Sequence, residues 1–175
     1  RACIFGITAT TPQMPPAARI ARMLRRVRPD AKLIFGGPHP TLVWAAYKKE
    51  QARGTQGRAT RAVMDIDALF DVIVAGDGER AIFKAIDPTY VPINKWIDAD
   101  DPKSDLFLNN ATLNDLPFPA RHLVDVASYH YKIDGVPALS LIAQLGCPFA
   151  CGFCGGRNSP MLRRIRTRTT QNVVD

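Results

Sequence analysis

Segments with the pattern of strands and of helices alternate over residues 1–88, and this alternation constrains the fold more than any other feature. Strand-forming runs occupy residues 2–9, 32–35 and 71–75. Each run is followed by apolar residues at helical spacing. The predicted helices lie near residues 15–28, 42–53, 60–70 and 79–86. Such alternation is typical of a parallel sheet covered by helices on both faces, and so predicts an α/β fold.

Small and hydroxyl residues follow each of these predicted strands. They are Thr8 and Thr10, Gly36 and Gly37, and Gly76 and Gly78. In an open α/β sheet these loops share one edge, and ligands bind there. Glycine lets a ligand approach backbone N–H groups, and threonine offers a hydroxyl for hydrogen bonding. Tight β–α turns also need glycine, so a single loop does not distinguish a ligand site from an ordinary turn.

Three of the four cysteines lie within eight residues, as Cys147, Cys151 and Cys154 in the pattern C-x3-C-x2-C. A strand is predicted just before them, over residues 139–145. Clustered thiolates favour zinc, Cu(I) or an iron–sulfur cluster. Structural zinc usually has four protein ligands, and an electron-transfer cluster uses four cysteines, whereas Cys3 lies far upstream. A zinc knuckle completed by another ligand and a local disulfide remain alternatives.

Composition is that of an ordinary globular protein, with 46% hydrophobic and 22% charged residues. No apolar run is long enough for a membrane span, and no signal peptide is visible. Because the cysteines cluster as ligands, a reducing, cytoplasmic setting is favoured. The net charge is +7, and five arginines between positions 157 and 168 face no acid in that interval. A solvated face, or charges answered elsewhere, is favoured over nucleic-acid binding.

Residues 89–137 are predicted to connect two domains, because six prolines from Pro88 to Pro137 interrupt regular structure. The predicted domains are residues 1–88 and 138–175. Within the connector, residues 95–97 and 106–108 are predicted to pair as a small hairpin. Because the chain begins inside a strand pattern without methionine and stops as a helix begins, we expect it to be an internal fragment.

The cysteine segment resembles the signature of the radical S-adenosylmethionine (SAM) superfamily, C-x3-C-x-aromatic-C, with Phe153 at the aromatic position. The resemblance implies that Cys147, Cys151 and Cys154 hold a 4Fe–4S cluster, whose open iron chelates S-adenosylmethionine beside Phe153. In that family a one-electron reductant such as flavodoxin or ferredoxin then drives release of a 5′-deoxyadenosyl radical. Residues from 138 onward resemble the first strand and cluster loop of the family's partial (β/α)6 barrel.

The loops of residues 1–88 together resemble the cobalamin-binding domain, a Rossmann-like (flavodoxin-like) parallel sheet. The matching positions are Thr8, Thr10, Gly36, Gly37, His39, Gly76, Gly78 and Glu79. In the family such loops enclose the nucleotide tail of the corrinoid. His39 lies in the double-glycine loop, so we interpret it as a hydrogen-bonding residue of that loop and not as the cobalt ligand.

The leading hypothesis is a fragment of a cobalamin-dependent radical SAM enzyme acting on a small molecule, by methyl transfer, cyclisation or rearrangement at an unactivated carbon. A second hypothesis is a radical SAM enzyme with a vestigial cobalamin domain, similar to methylthiotransferases. A third is a non-catalytic Rossmann-like module with a metal knuckle.

Overall fold

A four-stranded parallel sheet forms the centre of the computed structural model, which describes residues 3–90 and 94–174. The strands follow one another across the sheet in chain order. They are β1 (Ile4–Thr8), β2 (Lys32–Gly36), β3 (Val72–Gly76) and β4 (Trp96–Ala99). All three pairings are parallel, so the predicted Rossmann-like α/β fold is confirmed.

Four helices connect the strands: α1 (Met14–Val27), α2 (Pro38–Ala52), α3 (Arg58–Asp67) and α4 (Gly78–Ile86). They cover both faces because successive strand residues point to opposite sides. Leu33 and Phe35 of β2 pack in one buried cluster with α1 and α3. Ile34 packs in a second cluster with Ala81 and Ala85 of α4. The predicted coverage of both faces is therefore confirmed.

Stacked aromatic rings stabilise the face of the sheet that packs against α1 and α3. Phe35 is fully buried, and its ring stacks on Phe70 with the centroids 4.4 Å apart. Trp44 of α2 stacks on Trp96 of β4 at 4.5 Å. Aromatic pairs in this range contribute beyond their buried area. Trp96 thereby ties the fourth strand to helix α2.

The hairpin predicted for residues 95–97 and 106–108 is wrong. Trp96–Ala99 pairs in parallel with β3, with Val74 opposite Ile97. Residues 106–108 form no strand, but Leu106 and Leu108 are buried. The free edge of β3 offers backbone partners, and Ile97 packs beside Val74 in the second cluster, so the sheet prevails over a local hairpin.

The strand predicted for residues 139–145 is confined to its last two residues. β7 (Gln144–Leu145) pairs antiparallel with β8 (Arg166–Thr167). Residues 139–143 pair with no strand in the part of the chain that the structure describes, and Leu141 and Ile142 are exposed there. A strand needs a hydrogen-bonding neighbour, and within the described residues the pairing with β8 extends back only to Ala143, whose carbonyl accepts from the backbone N–H of Arg168 at 2.9 Å. The barrel that it would begin and the domain limits stay predictions.

Short elements make up the rest of the second half. They are the hairpin β5 (Lys132–Ile133) and β6 (Val136–Pro137), and the helices α5 (Asn110–Asn114), α6 (Pro160–Arg163) and α7 (Thr170–Val174). Single 3-10 turns occur there at Arg121–Leu123, Val126–Tyr129 and Gly155–Asn158, and another precedes α1 at Thr11–Gln13. Across residues 3–90 and 94–174, no helix has the length and apolar character that a membrane crossing requires.

Candidate functional site

The loops that follow β1, β2 and β3 are called the first, second and third loops. The first and second loops meet at Thr8 and Gly37. Gly37 has φ +95° and ψ −165°, a backbone region essentially restricted to glycine. A Cβ at this position would overlap Thr8 Oγ1 and lie 3.4 Å from Ala9 N. The backbone N–H of Ala9 donates to Gly36 O at 3.4 Å. The double glycine therefore brings the second loop against the predicted hydroxyl of the first.

Thr41 joins the second loop to the third. Its side chain is fully buried on the first turn of α2, and its hydroxyl donates to Gly37 O at 2.8 Å. The same oxygen accepts a hydrogen bond from the backbone N–H of Gly76 at 2.9 Å. The sequence interpretation did not include Thr41 among the site residues. The available signal was a hydroxyl on the first turn after a double glycine.

His39 and Thr10 each form a hydrogen bond with a side chain of the 3-10 turn Thr11–Gln13. The His39 ring Nδ1 is 3.1 Å from Thr11 Oγ1, and burial lowers the pKa of the ring, which favours the neutral imidazole. Thr10 is exposed, and both its backbone N–H and its hydroxyl donate to Gln13 Oε1 at 2.9 Å. Both side chains therefore have hydrogen-bond partners in the 3-10 turn that follows β1, and the His39 bond connects the second loop to the first.

The third loop contains two glycines, of which Gly76 is closely packed against neighbouring backbone and Gly78 has free space around it. Gly76 has φ +102°, and a Cβ there would overlap the backbone of Ala99 and Asp100, so β3 and β4 approach closely at their ends. Gly78 begins α4 with nothing within 4 Å of its Cβ position. Glu79 follows and lines a cavity of about 590 Å³ together with Phe118. Packing accounts for Gly76, whereas Gly78 leaves backbone accessible at the sheet edge.

The three clustered cysteines are free and exposed. Cys147 donates its backbone N–H to Leu162 O at 2.9 Å, and Cys154 donates to Cys151 O at 3.1 Å. Phe153 is 95% exposed. Within residues 3–90 and 94–174, no three His, Cys, Asp or Glu side chains converge in a geometry that would hold a metal ion. The donor set suits a soft metal centre, but the loop is not closed around one.

Two buried aspartates attach the segment that follows the cysteines to the sheet. Asp77 lies one residue beyond β3 and forms an ion pair with Arg166 of β8. Asp77 is 5% exposed and Arg166 1% exposed. The Asp77 carboxylate also accepts a hydrogen bond from the backbone N–H of Leu108 at 3.1 Å. Burial raises the pKa of Asp77, while the hydrogen bond from Arg166 opposes that rise.

Asp100 provides the second attachment, one residue beyond β4. Its Oδ1 accepts hydrogen bonds from the Ser159 hydroxyl and from the backbone N–H of Met161, the latter at 2.9 Å. Asp100 is fully buried, and burial raises its pKa. Lys48 Nζ lies 3.5 Å from its Oδ2 and 2.9 Å from Asp98. Neighbouring strands thus each end in a buried carboxylate that binds residues 159–166.

Helix α2 also contacts the residues after the cysteines. Lys49 Nζ donates to Asn158 Oδ1 at 3.1 Å. The Cβ position of Gly155 lies 3.4 Å from a methyl group of Leu42. Because α2 begins at the double-glycine loop, one helix connects the predicted corrinoid loop with the 3-10 turn that starts beside Cys154.

Comparison with known proteins supports the resemblance of the N-terminal part to a cobalamin-binding domain. Residues 1–67 match the family described as the B12 binding domain. The N-terminal part is thus similar to a cobalamin-binding domain. The chain is also 26% identical over 98% of its length to an uncharacterised methyltransferase of Pyrococcus horikoshii, of which it spans 35%. It is 25% identical, again over 98% of its length, to the anaerobic magnesium-protoporphyrin IX monomethyl ester cyclase of Cereibacter sphaeroides, of which it spans 27%. No solved structure matches the chain.

Both relatives are named as enzymes, and this chain spans about a third of one and about a quarter of the other. The B12-binding match covers Thr8, Thr10, Gly36, Gly37 and His39. It ends before the third loop and before the cysteines. The comparisons therefore support a cobalamin-binding fold, while the individual contacts and the cluster remain predictions.

Proposed function

We propose that the protein containing this chain is a cobalamin-dependent radical SAM enzyme, for methyl transfer or for cyclisation or rearrangement at an unactivated carbon. The main support is that the residues following Cys154 are attached to the edge of the sheet that carries Thr8 and Gly37. A corrinoid at this edge and a cluster at the cysteines would then be neighbours. The two relatives, named as a methyltransferase and as a cyclase, fit the two reaction types.

The chain's own loops would bind and orient the corrinoid. Gly36 has no heavy atom closer than 4.0 Å to its Cβ position and Gly78 has none within 4 Å, so a ligand group has room beside half-exposed Gly36 and exposed Gly78. The hydrogen bonds of Thr41 to Gly37 and Gly76 hold the second and third loops at a fixed separation. Thr8 is an exposed residue whose hydroxyl lies beside Gly37. These features fit a ligand that lies against backbone and hydroxyl groups.

The cysteine loop would provide the thiolates. Arginine side chains donate hydrogen bonds to its backbone carbonyls, with Arg163 reaching Pro148 O at 2.9 Å and Arg157 reaching Gly152 O. These bonds shape the loop and leave the sulfur atoms free to bind a cluster. When bound, a 4Fe–4S cluster would supply reductive cleavage of S-adenosylmethionine, and a corrinoid would carry the methyl group or assist the rearrangement. A small-molecule substrate and an external one-electron reductant complete the proposal.

Anaerobic reconstitution of the whole protein with iron and sulfide tests the proposal. We expect about four irons per chain, a corrinoid absorption band, and 5′-deoxyadenosine or S-adenosylhomocysteine after reduction in the presence of S-adenosylmethionine. Cys151→Ala is expected to abolish iron binding and cleavage, whereas Cys3→Ala, outside the motif, leaves both unchanged. Zinc without iron would contradict the proposal and favour a metal-binding module. A cluster without corrinoid would favour the vestigial-domain alternative.

A further inference from the structure

The buried ion pair between Asp77 and Arg166 joins parts of the chain that lie 89 positions apart. Arg166 also donates to Leu108 O and to Met161 O, both at 3.0 Å. Its guanidinium lies 5.1 Å from the centroid of the Phe107 ring. One planar side chain therefore contacts the loop after β3, the 107–108 segment and helix α6. A lysine would keep the charge but not this forked geometry.

Arg166 is the last residue of the segment 159–166, and Asp100 binds the beginning of that segment through Ser159 and Met161. The two aspartates follow neighbouring strands, so residues 159–166 are held at two points of one sheet edge. The cysteine loop is connected to the middle of this segment, because Cys147 donates to Leu162 O at 2.9 Å. At Gly146, φ +84°, a Cβ would overlap Arg164 O, so the loop entrance also lies against this segment.

We propose that Arg166, held by Asp77 and assisted by Asp100, is a positioning residue that fixes the cysteine loop relative to the cobalamin-binding edge. The inference rests on the proposed function for its meaning in catalysis, but the attachment itself is independent of any cofactor. The exposed thiols need no buried arginine to bind a metal. Their distance from a ligand on the sheet does depend on residues 159–166. Replacing Arg166 should therefore lower the product yield of a reaction that uses both cofactors more than it lowers the binding of either cofactor.

The first test uses hydrogen–deuterium exchange of the whole protein without cofactors. Arg166→Lys is expected to raise the exchange rate of residues 144–168 at least about 10-fold, while β1 and β2 stay unchanged. Ser159→Ala, which removes one of the two hydrogen bonds to Asp100 without removing a charge, should raise exchange in the same segment. The matched control is Arg164→Lys, because Arg164 is exposed and lies only two positions away, and lysine keeps a positive charge beside the Phe107 ring, whose centroid is 5.9 Å from the Arg164 guanidinium. Unchanged exchange in Arg166→Lys and Ser159→Ala would overturn the proposal.

The second test uses the reconstituted protein. Arg166→Lys should retain the iron and corrinoid contents of the wild type. Its product yield per 5′-deoxyadenosine or S-adenosylhomocysteine formed should fall by about 10²-fold, the scale expected for a displacement of about 1 Å between reacting groups. A wild-type ratio would overturn the positioning role. Absence of cluster or corrinoid in the wild type would instead refute the proposed function, and the exchange experiment would still decide the attachment.

Discussion

Replacing Gly37 with alanine is expected to destabilise the sheet edge for two separable reasons. The backbone at φ +95° and ψ −165° costs a non-glycine residue about 1–3 kcal/mol. The added methyl group would also overlap Thr8 Oγ1, and overpacking of this kind typically costs about 1–3 kcal/mol. Alanine also lowers the conformational entropy of the unfolded chain, which offsets the destabilisation by about 0.4–1 kcal/mol. The net loss is then about 1–6 kcal/mol, a large part of a typical folding free energy.

A double-mutant cycle separates the two contributions. Thr8 is exposed, so Thr8→Ala alone should change stability little. In that background the overlapping oxygen is absent, and Gly37→Ala should cost only the backbone part. We therefore expect a coupling free energy of about 1–3 kcal/mol from urea denaturation followed by circular dichroism. Gly6→Ala in β1 is the control, because nothing lies within 4 Å of its Cβ position.

Equal costs of Gly37→Ala in both backgrounds would refute the contact between the two loops. The same variants connect stability with the proposed site. If Thr8 and Gly37 border a corrinoid, Gly37→Ala should also reduce the corrinoid retained on purification. Thr8→Ala should then restore part of it, because it removes the overlap. Retention unaffected by Gly37→Ala would separate this contact from ligand binding.

Three further perturbations test individual parts of the fold by denaturation. Thr41→Val should lower the free energy of unfolding by roughly 1–3 kcal/mol, because the half-buried N–H of Gly76 loses its acceptor; Thr41→Ser should retain most of the stability. Phe35→Ala should cost about 3–5 kcal/mol, because it leaves a cavity in a fully buried cluster. Glu50→Gln should destabilise at neutral pH, because hydrogen bonds from Thr60 and neighbouring N–H groups lower the Glu50 pKa from 4.5 to about 2. That contribution is present above pH 4.5 and is lost towards pH 2, so the wild type and variant should converge in acid; a constant difference would contradict it.

The first three strands and their helices were predictable because their signals are local. Apolar runs such as Val72–Gly76 are buried in the middle of the sheet, and a loop of hydroxyl residues or glycines marks where each of the three strands ends. β4 was mispredicted because its short pattern does not identify its partner. Trp96–Ala99 could pair either with β3, which lies farther away in the sequence, or with the nearby residues 106–108. Only the packing of Trp96 on Trp44 and of Ile97 beside Val74 decides it.

The cysteines were visible in the sequence, but the residues that attach their loop to the sheet were not. Asp77 lies within the loop Gly76–Glu79, where an aspartate is an ordinary turn residue. Asp100 belongs to an acidic run beside Asp98 and Asp101, which is typical of solvent-exposed loops. Nothing local indicates that Asp77 and Asp100 are buried. Their burial depends on Arg166 and Ser159, more than 50 positions away.

The five arginines between positions 157 and 168 make contacts that their number in the sequence does not reveal. As a count, they predicted a solvated basic face or charges answered elsewhere. In the structure Arg166 is neutralised by Asp77, and Arg168 donates to Asn172 at 2.7 Å. Arg157 and Arg163 donate to carbonyls of the cysteine loop. Three of the five arginines thus shape or hold that loop through internal contacts, and one of these, Arg166, has its charge neutralised by Asp77.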